Sequence, residues 1–121
     1  MKFTRESHRS LIVHSVTDTG IRIGDVVYDQ TLAVSTDAVI DDWPPKAVED
    51  LNEADFAELL SNNPAVIVLG TGATNIFPPR ELVFALARRG VGLETMDTPA
   101  AARTYNVLAS EDRLVAAVFY L

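Results

Sequence analysis

The chain has 121 residues, 48% of them apolar, and a formal net charge of −7. A chain of this length can bury roughly two thirds of the surface it would expose unfolded, and its apolar share excludes intrinsic disorder. It contains no cysteine, which removes disulfides, thiol nucleophiles and Cys-based zinc or iron–sulfur sites.

The acidity argues against nucleic acid as a partner, because phosphate binding rests on a surplus of Lys and Arg. No apolar run approaches the roughly 18 residues of a membrane-spanning helix, so no membrane insertion is expected. The first ten residues, MKFTRESHRS, are followed by no long apolar stretch. Neither a secretory signal nor a mitochondrial transit segment is therefore expected. These bounds suggest one cytoplasmic domain over 1–121.

In chain order, the N-terminal third reads as strands. Leu11 to Val16 is rich in β-branched residues and runs into the turn signal Asp18-Thr19-Gly20. Ile21-Arg22-Ile23 alternates, Gly24-Asp25 punctuates, and Val26 to Val34 resumes a broken alternation, which together predict a β-meander.

An acidic segment follows. Asp37, Asp41, Asp42, Glu49, Asp50, Glu53, Asp55 and Glu58 face the single base Lys46, which accounts for the whole net charge. The rest of the chain is neutral. The segment reads as a solvated connection, or as a docking surface for a basic partner with Trp43 as its anchor, since Trp is enriched at binding hot spots. A Trp beside two prolines also closes over core edges.

Beyond it the period changes. Asn52 is a candidate N-cap for a helix carrying Phe56, Leu59 and Leu60 on one face, stopped at Ser61-Asn62-Asn63-Pro64. Ala65 to Leu69 is a continuous apolar run, as expected of a strand buried on both faces. A helix from Pro79 to about Arg89 is closed by Gly90, and Val91 to Met96 is the next strand. A helix with Thr98 as N-cap and Pro99 in its first turn runs toward Ala109, and Leu114 to Leu121 closes the chain as a strand whose Ala116 and Ala117 admit a helix closely.

This order predicts an α/β three-layer sandwich. Its mostly parallel β-α-β-α-β sheet carries the N-terminal β-meander as an addition. In the Pro79–Arg89 helix, Leu82, Val83 and Leu86 define the core stripe, and Phe84 points about 150° away from its middle at 100° per residue. Either a second layer or another subunit of a homo-oligomer should cover it.

Ligands of parallel sheets bind beyond the carboxyl ends of the strands. Two segments would gather there: Gly70-Thr71-Gly72 after one strand and Asp97-Thr98 after the next. The glycines permit close backbone approach. Arg103 lies about 6 Å along the following helix at 1.5 Å per residue, with Thr104, Tyr105 and Asn106 in the same turn. This edge is a candidate crevice for a partner segment or a small anionic ligand. In the bland alternative the glycines make a turn, Asp97 and Thr98 cap the helix, and Arg103 pairs with Asp97 or Glu94.

Asn75 stands where a dinucleotide fingerprint needs its third Gly or Ala, and GxxxxGK[ST] is absent. His8 and His14, about 20 Å apart in an extended chain, cannot share a metal. Glu81, Glu94 and Asp97 could include a general base, but nothing marks a tuned pair, and no metal site or cofactor is indicated.

The second half resembles a known family. The matching stretches are Gly70-Thr71-Gly72, Phe77-Pro78-Pro79, Arg89 to Thr98 (RGVGLETMDT), Ala101 to Leu108 (AARTYNVL), and Arg113 with Val115-Ala116-Ala117. Together they are similar to the MTH-type domain of unknown function. Its members include small bacterial and archaeal proteins, an adipogenesis-associated protein and a mitochondrial complex I assembly factor.

The resemblance covers Val66 to Val118 and is looser over the meander. It implies a compact three-layer α/β fold and, by way of the mitochondrial members, assembly rather than catalysis. Its motif residues fall on Gly70, Gly72, Asp97, Arg103, Thr104, Tyr105 and Asn106. Many bacterial members carry Cys where Ala102 stands, so a thiol-dependent role does not carry over.

The leading expectation is a non-catalytic interaction or assembly module. The alternative is an enzyme or sensor for a small anionic metabolite, held by the Gly70-Thr71-Gly72 loop and Arg103.

Overall fold

A computed structural model describes residues 11–35 and 37–121. Three antiparallel strands open it, β1 (Val13–Thr17), β2 (Gly20–Ile23) and β3 (Val26–Tyr28), joined by the two-residue turns Asp18-Thr19 and Gly24-Asp25. The expected continuation to Val34 divides here. β4 (Leu32–Val34) leaves the meander and joins a second sheet, whose strand order is β5-β4-β8-β6-β7. Its other strands are β5 (Val39–Ile40), β6 (Val66–Thr71), β7 (Gly92–Met96) and β8 (Val115–Tyr120). β6 pairs in parallel with both β7 and β8, while β4 runs antiparallel to β5 and β8.

β6 is buried at every position. This is why its sequence is an unbroken apolar run rather than an alternation. Its residues divide between two cores. Val66 and Val68 pack with Ile21, Ile23, Ala101, Tyr105 and Phe119, and Ile67 and Leu69 with Phe56, Leu59, Leu82 and Leu86. The five-stranded sheet is thus the middle of three layers.

One outer layer holds β1–β3 and the helix α3 (Thr98–Ser110). The other holds two 3-10 turns (Val48–Asp50 and Glu53–Phe56), the single-turn helix α1 (Ala57–Leu60) and the helix α2 (Arg80–Arg88).

Asn52 starts the Glu53–Phe56 turn with a reciprocal capping box to Asp55. The helix expected beyond it is short, with Phe56 and Leu59 buried and Leu60 half-buried.

β6–α2–β7 and β7–α3–β8 move across the sheet in opposite directions and carry their helices on opposite faces, as crossovers of one hand require. The sheet therefore has a topological switch point at the carboxyl ends of its central strands.

Two long-range ties complete the frame. Asn106 on α3 accepts from the Val13 N–H (2.9 Å) and donates to the Val13 carbonyl (2.8 Å), where β1 slips register between Val13 and Ser15. The ring of Tyr105 meets Phe119 edge-on, with centroids 5.9 Å apart.

Candidate functional site

At the carboxyl end of β6 the chain comes very close to α3. A Cβ on Gly70 would stand 2.9 Å from Thr98 Oγ1 and 3.0 Å from both Thr98 Cα and Ala101 Cβ, so only glycine lets the strand pass under the helix. Gly72, at φ +98°, then turns the chain away.

Thr98 is the hub of this junction. Its Oγ1 accepts from the Gly72 N–H (2.8 Å) and donates to the Tyr120 carbonyl, while its own N–H donates to the Gly72 carbonyl (2.8 Å). Asp97 caps α3 by accepting from the Ala100 N–H (2.9 Å). Thr71 Oγ1 donates to the Thr74 carbonyl (2.6 Å) and accepts from the Ile76 N–H (2.9 Å), folding the connection from β6 to α2 back on itself.

Around this junction lies a groove of about 380 Å³. It is lined by Val16, Thr17 and Asp18 of the first hairpin, by Gly72, Ala73, Thr98 and Pro99, and by Tyr120 and Leu121. A shallower depression of about 180 Å³ adjoins it, sharing Val16 and Pro99 and bounded by His14, Ala102, Arg103 and Asn106.

The structure thus brings Gly72 and Thr98 together and holds Gly70, Thr71 and Asp97 just beneath them. Arg103 is exposed in the neighbouring depression and makes no ion pair among the described residues. The pairing with Asp97 or Glu94 is not formed.

Three residues expected at the crevice are otherwise engaged. Tyr105 is 2% exposed in the core, and burial pushes its hydroxyl pKa up to about 12. Asn106 is spent on Val13. Thr104 Oγ1 donates to the Met96 sulfur (3.3 Å).

Chemically, the junction is a poor anion cradle. The amides of Gly72, Thr98 and Ala100 already donate to internal acceptors, Pro99 has none, and the Asp97 carboxylate occupies the positive end of the helix dipole. Arg103 is the cation available beside the groove, against Asp18 within it. Among the described residues no group of three or more His, Asp and Glu could hold a metal ion, and His8 lies outside those residues.

Trp43 is not an exposed anchor. It is 9% exposed, with its ring edge-on to Phe56 at 5.2 Å and its indole N–H donating to Tyr120 Oη (3.3 Å). Tyr120 in turn donates to the Lys46 carbonyl (2.9 Å), and the Lys46 ammonium meets the Asp55 carboxylate at 3.0 Å. The acidic segment is therefore pinned to the end of β8. Burial raises the Tyr120 pKa, partly offset by the bond from Trp43. Phe84 is 55% exposed, and no described layer covers it.

The three layers and their strand order define an Mth938-like α/β domain. The chain belongs to the family described as protein of unknown function (DUF498/DUF598), whose profile matches residues 13–120. The zebrafish NADH dehydrogenase [ubiquinone] 1 alpha subcomplex assembly factor 3 is 31% identical over 115 residues, covering 93% of this chain and 66% of the relative. A Francisella tularensis 13 kDa major membrane protein is 30% identical over 71 residues, 59% of this chain and 58% of its own.

The solution structure of a Bordetella pertussis Mth938-like domain superposes with a TM-score of 0.78 at 26% identity, over 93% of this chain and 86% of that one. The chain spans less than two thirds of the length of the curated relatives it matches. No helix among the described residues is long and apolar enough to cross a membrane.

Proposed function

We propose that this protein is a non-catalytic interaction module that takes part in assembling a protein complex, and that its strand-end groove receives a segment of the partner. One observation carries the reading. The groove sits at the switch point, where parallel sheets present their ligands, yet the Gly72, Thr98 and Ala100 amides beside it are committed to internal bonds. Such a slot suits side chains of a protein segment better than a phosphate. The relationship to an assembly factor supports the same class of role.

The test is comparative. An Ala73→Arg variant should fold normally, because Ala73 is exposed, and should lose the specific partners that wild type captures. A thermal-shift screen of phosphates, nucleotides and carboxylates should leave wild type unmoved. A saturable ligand would add about 2.7 kcal/mol at one hundred times its Kd. Such a shift, abolished by Arg103→Ala, would replace this reading with the small-anion sensor or enzyme. The proposal includes action in the cytoplasm, which cell fractionation tests.

A further inference from the structure

The face of the sheet opposite α3 carries an unused stripe. On α2, Arg80, Phe84 and Arg88 recur every four residues and so lie within one 80° arc at 100° per residue. All three are exposed, diametrically opposite the buried Leu82 and Leu86. Arg80 and Arg88 make no ion pair among the described residues.

Beside this stripe, in the same layer, the Glu53–Phe56 turn and α1 border a depression of about 440 Å³. Its apolar lining comes from Ala54, Ala57 and Leu60, and the Arg89–Glu53 ion pair closes one side. The flanking elements carry exposed Asp50 and Glu58. One half of the layer thus presents a phenyl ring between two arginines, and the other an apolar socket among carboxylates.

We propose that this layer is a homodimer interface in which Phe84 of each copy enters the Ala54–Ala57–Leu60 socket of the other. The argument is self-complementarity. A two-fold axis lying in the plane of the layer, between α2 and α1, turns each basic–aromatic stripe over the partner's acidic socket. The contact then forms twice and closes. Opposite charges meet at the rim, Arg80 and Arg88 against the acidic segment, and the aromatic anchor is desolvated at the centre, as hot spots are. The interface lies on the face away from the strand-end groove, so it leaves that site open and stands or falls separately.

Sedimentation velocity over a concentration series into the millimolar range tests it. Wild type should dimerise reversibly. Phe84→Asp and Ala57→Lys should each weaken the dimer by on the order of 30-fold or more, with unchanged circular dichroism because both positions are exposed. An equimolar mixture of the two variants should recover association, since it keeps one Phe84 facing one unaltered socket. A wild type that stays monomeric throughout overturns the proposal. So does a dimer that Ala57→Lys leaves intact, or a mixture that shows no recovery. If Phe84→Asp fails to fold, Ala57→Lys alone decides.

Discussion

Thr98 offers the sharpest perturbation of the junction beneath the groove. It is 2% exposed, and its hydroxyl joins the Gly72 N–H to the Tyr120 carbonyl. Thr98→Val preserves volume, β-branching and the backbone bond to Gly72, so it opens no cavity. What it removes is one acceptor and one donor in a part-buried setting. Each stranded partner costs about 1–1.5 kcal/mol, or about 2–3 kcal/mol together.

Thr98→Ser keeps the hydroxyl and loses a buried methyl, costing about 0.8 kcal/mol. Urea unfolding followed by the fluorescence of Trp43 should therefore rank wild type above Ser and Ser above Val. The slope with denaturant should not change. At about 4 °C per kcal/mol the Val variant should melt about 8–12 °C lower. A Val variant within 0.5 kcal/mol of wild type, or one more stable than Ser, would refute the hydrogen-bonded hub.

Other outcomes follow from the same geometry. Asn106→Leu should lose about 2 kcal/mol and speed hydrogen exchange at the Val13 amide; unchanged exchange there would deny the clamp. Gly70→Ala should cost more than about 1 kcal/mol because Thr98 Cα cannot yield to the added methyl, which thermal unfolding checks.

Tyr105 should titrate near pH 12 by ultraviolet absorbance, well above its ordinary value of 10. Above pH 10 the unfolded chain sheds this proton while the folded chain keeps it. Stability should therefore be intact below pH 10 and fall between pH 10 and about 12. Tyr105→Phe should remove part of that fall, and an identical alkaline profile would contradict it.

What the sequence discloses and what it hides divide along the distance between partners. The apolar run of β6, the Asn52 cap and the stop before Gly90 are written within a few residues of where they act, and each is visible by inspection. The cap of α3 falls instead on Asp97, one residue before the Thr98 that Pro99 suggests. The Gly70-Thr71-Gly72 turn and Thr98 are local signals too, and parallel pairing of Gly70 with Met96 brings them to one edge.

Trp43 is different. Its burial depends on Phe56 and on Tyr120, 77 residues away, so no local pattern separates a core edge from an exposed anchor. Asn106 serves Val13 across 93 residues, which is why its amide reads as a crevice group until the two are seen together. Tyr105 fell to the same ambiguity, because a polar tip on an aromatic body suits a core as well as a cleft. The division of Val26 to Val34 between two sheets has a similar origin: alternation gives the strand period but not the partner strand.

The most direct test of the groove as a protein-docking site is site-specific photo-crosslinking in living cells. A photoreactive amino acid at Ala73, on the groove's rim, should yield discrete adducts with a small set of proteins. The same residue at Glu111, exposed at the far end of α3, should not. Equal labelling from both positions, or no protein adduct from Ala73 at all, would contradict the account.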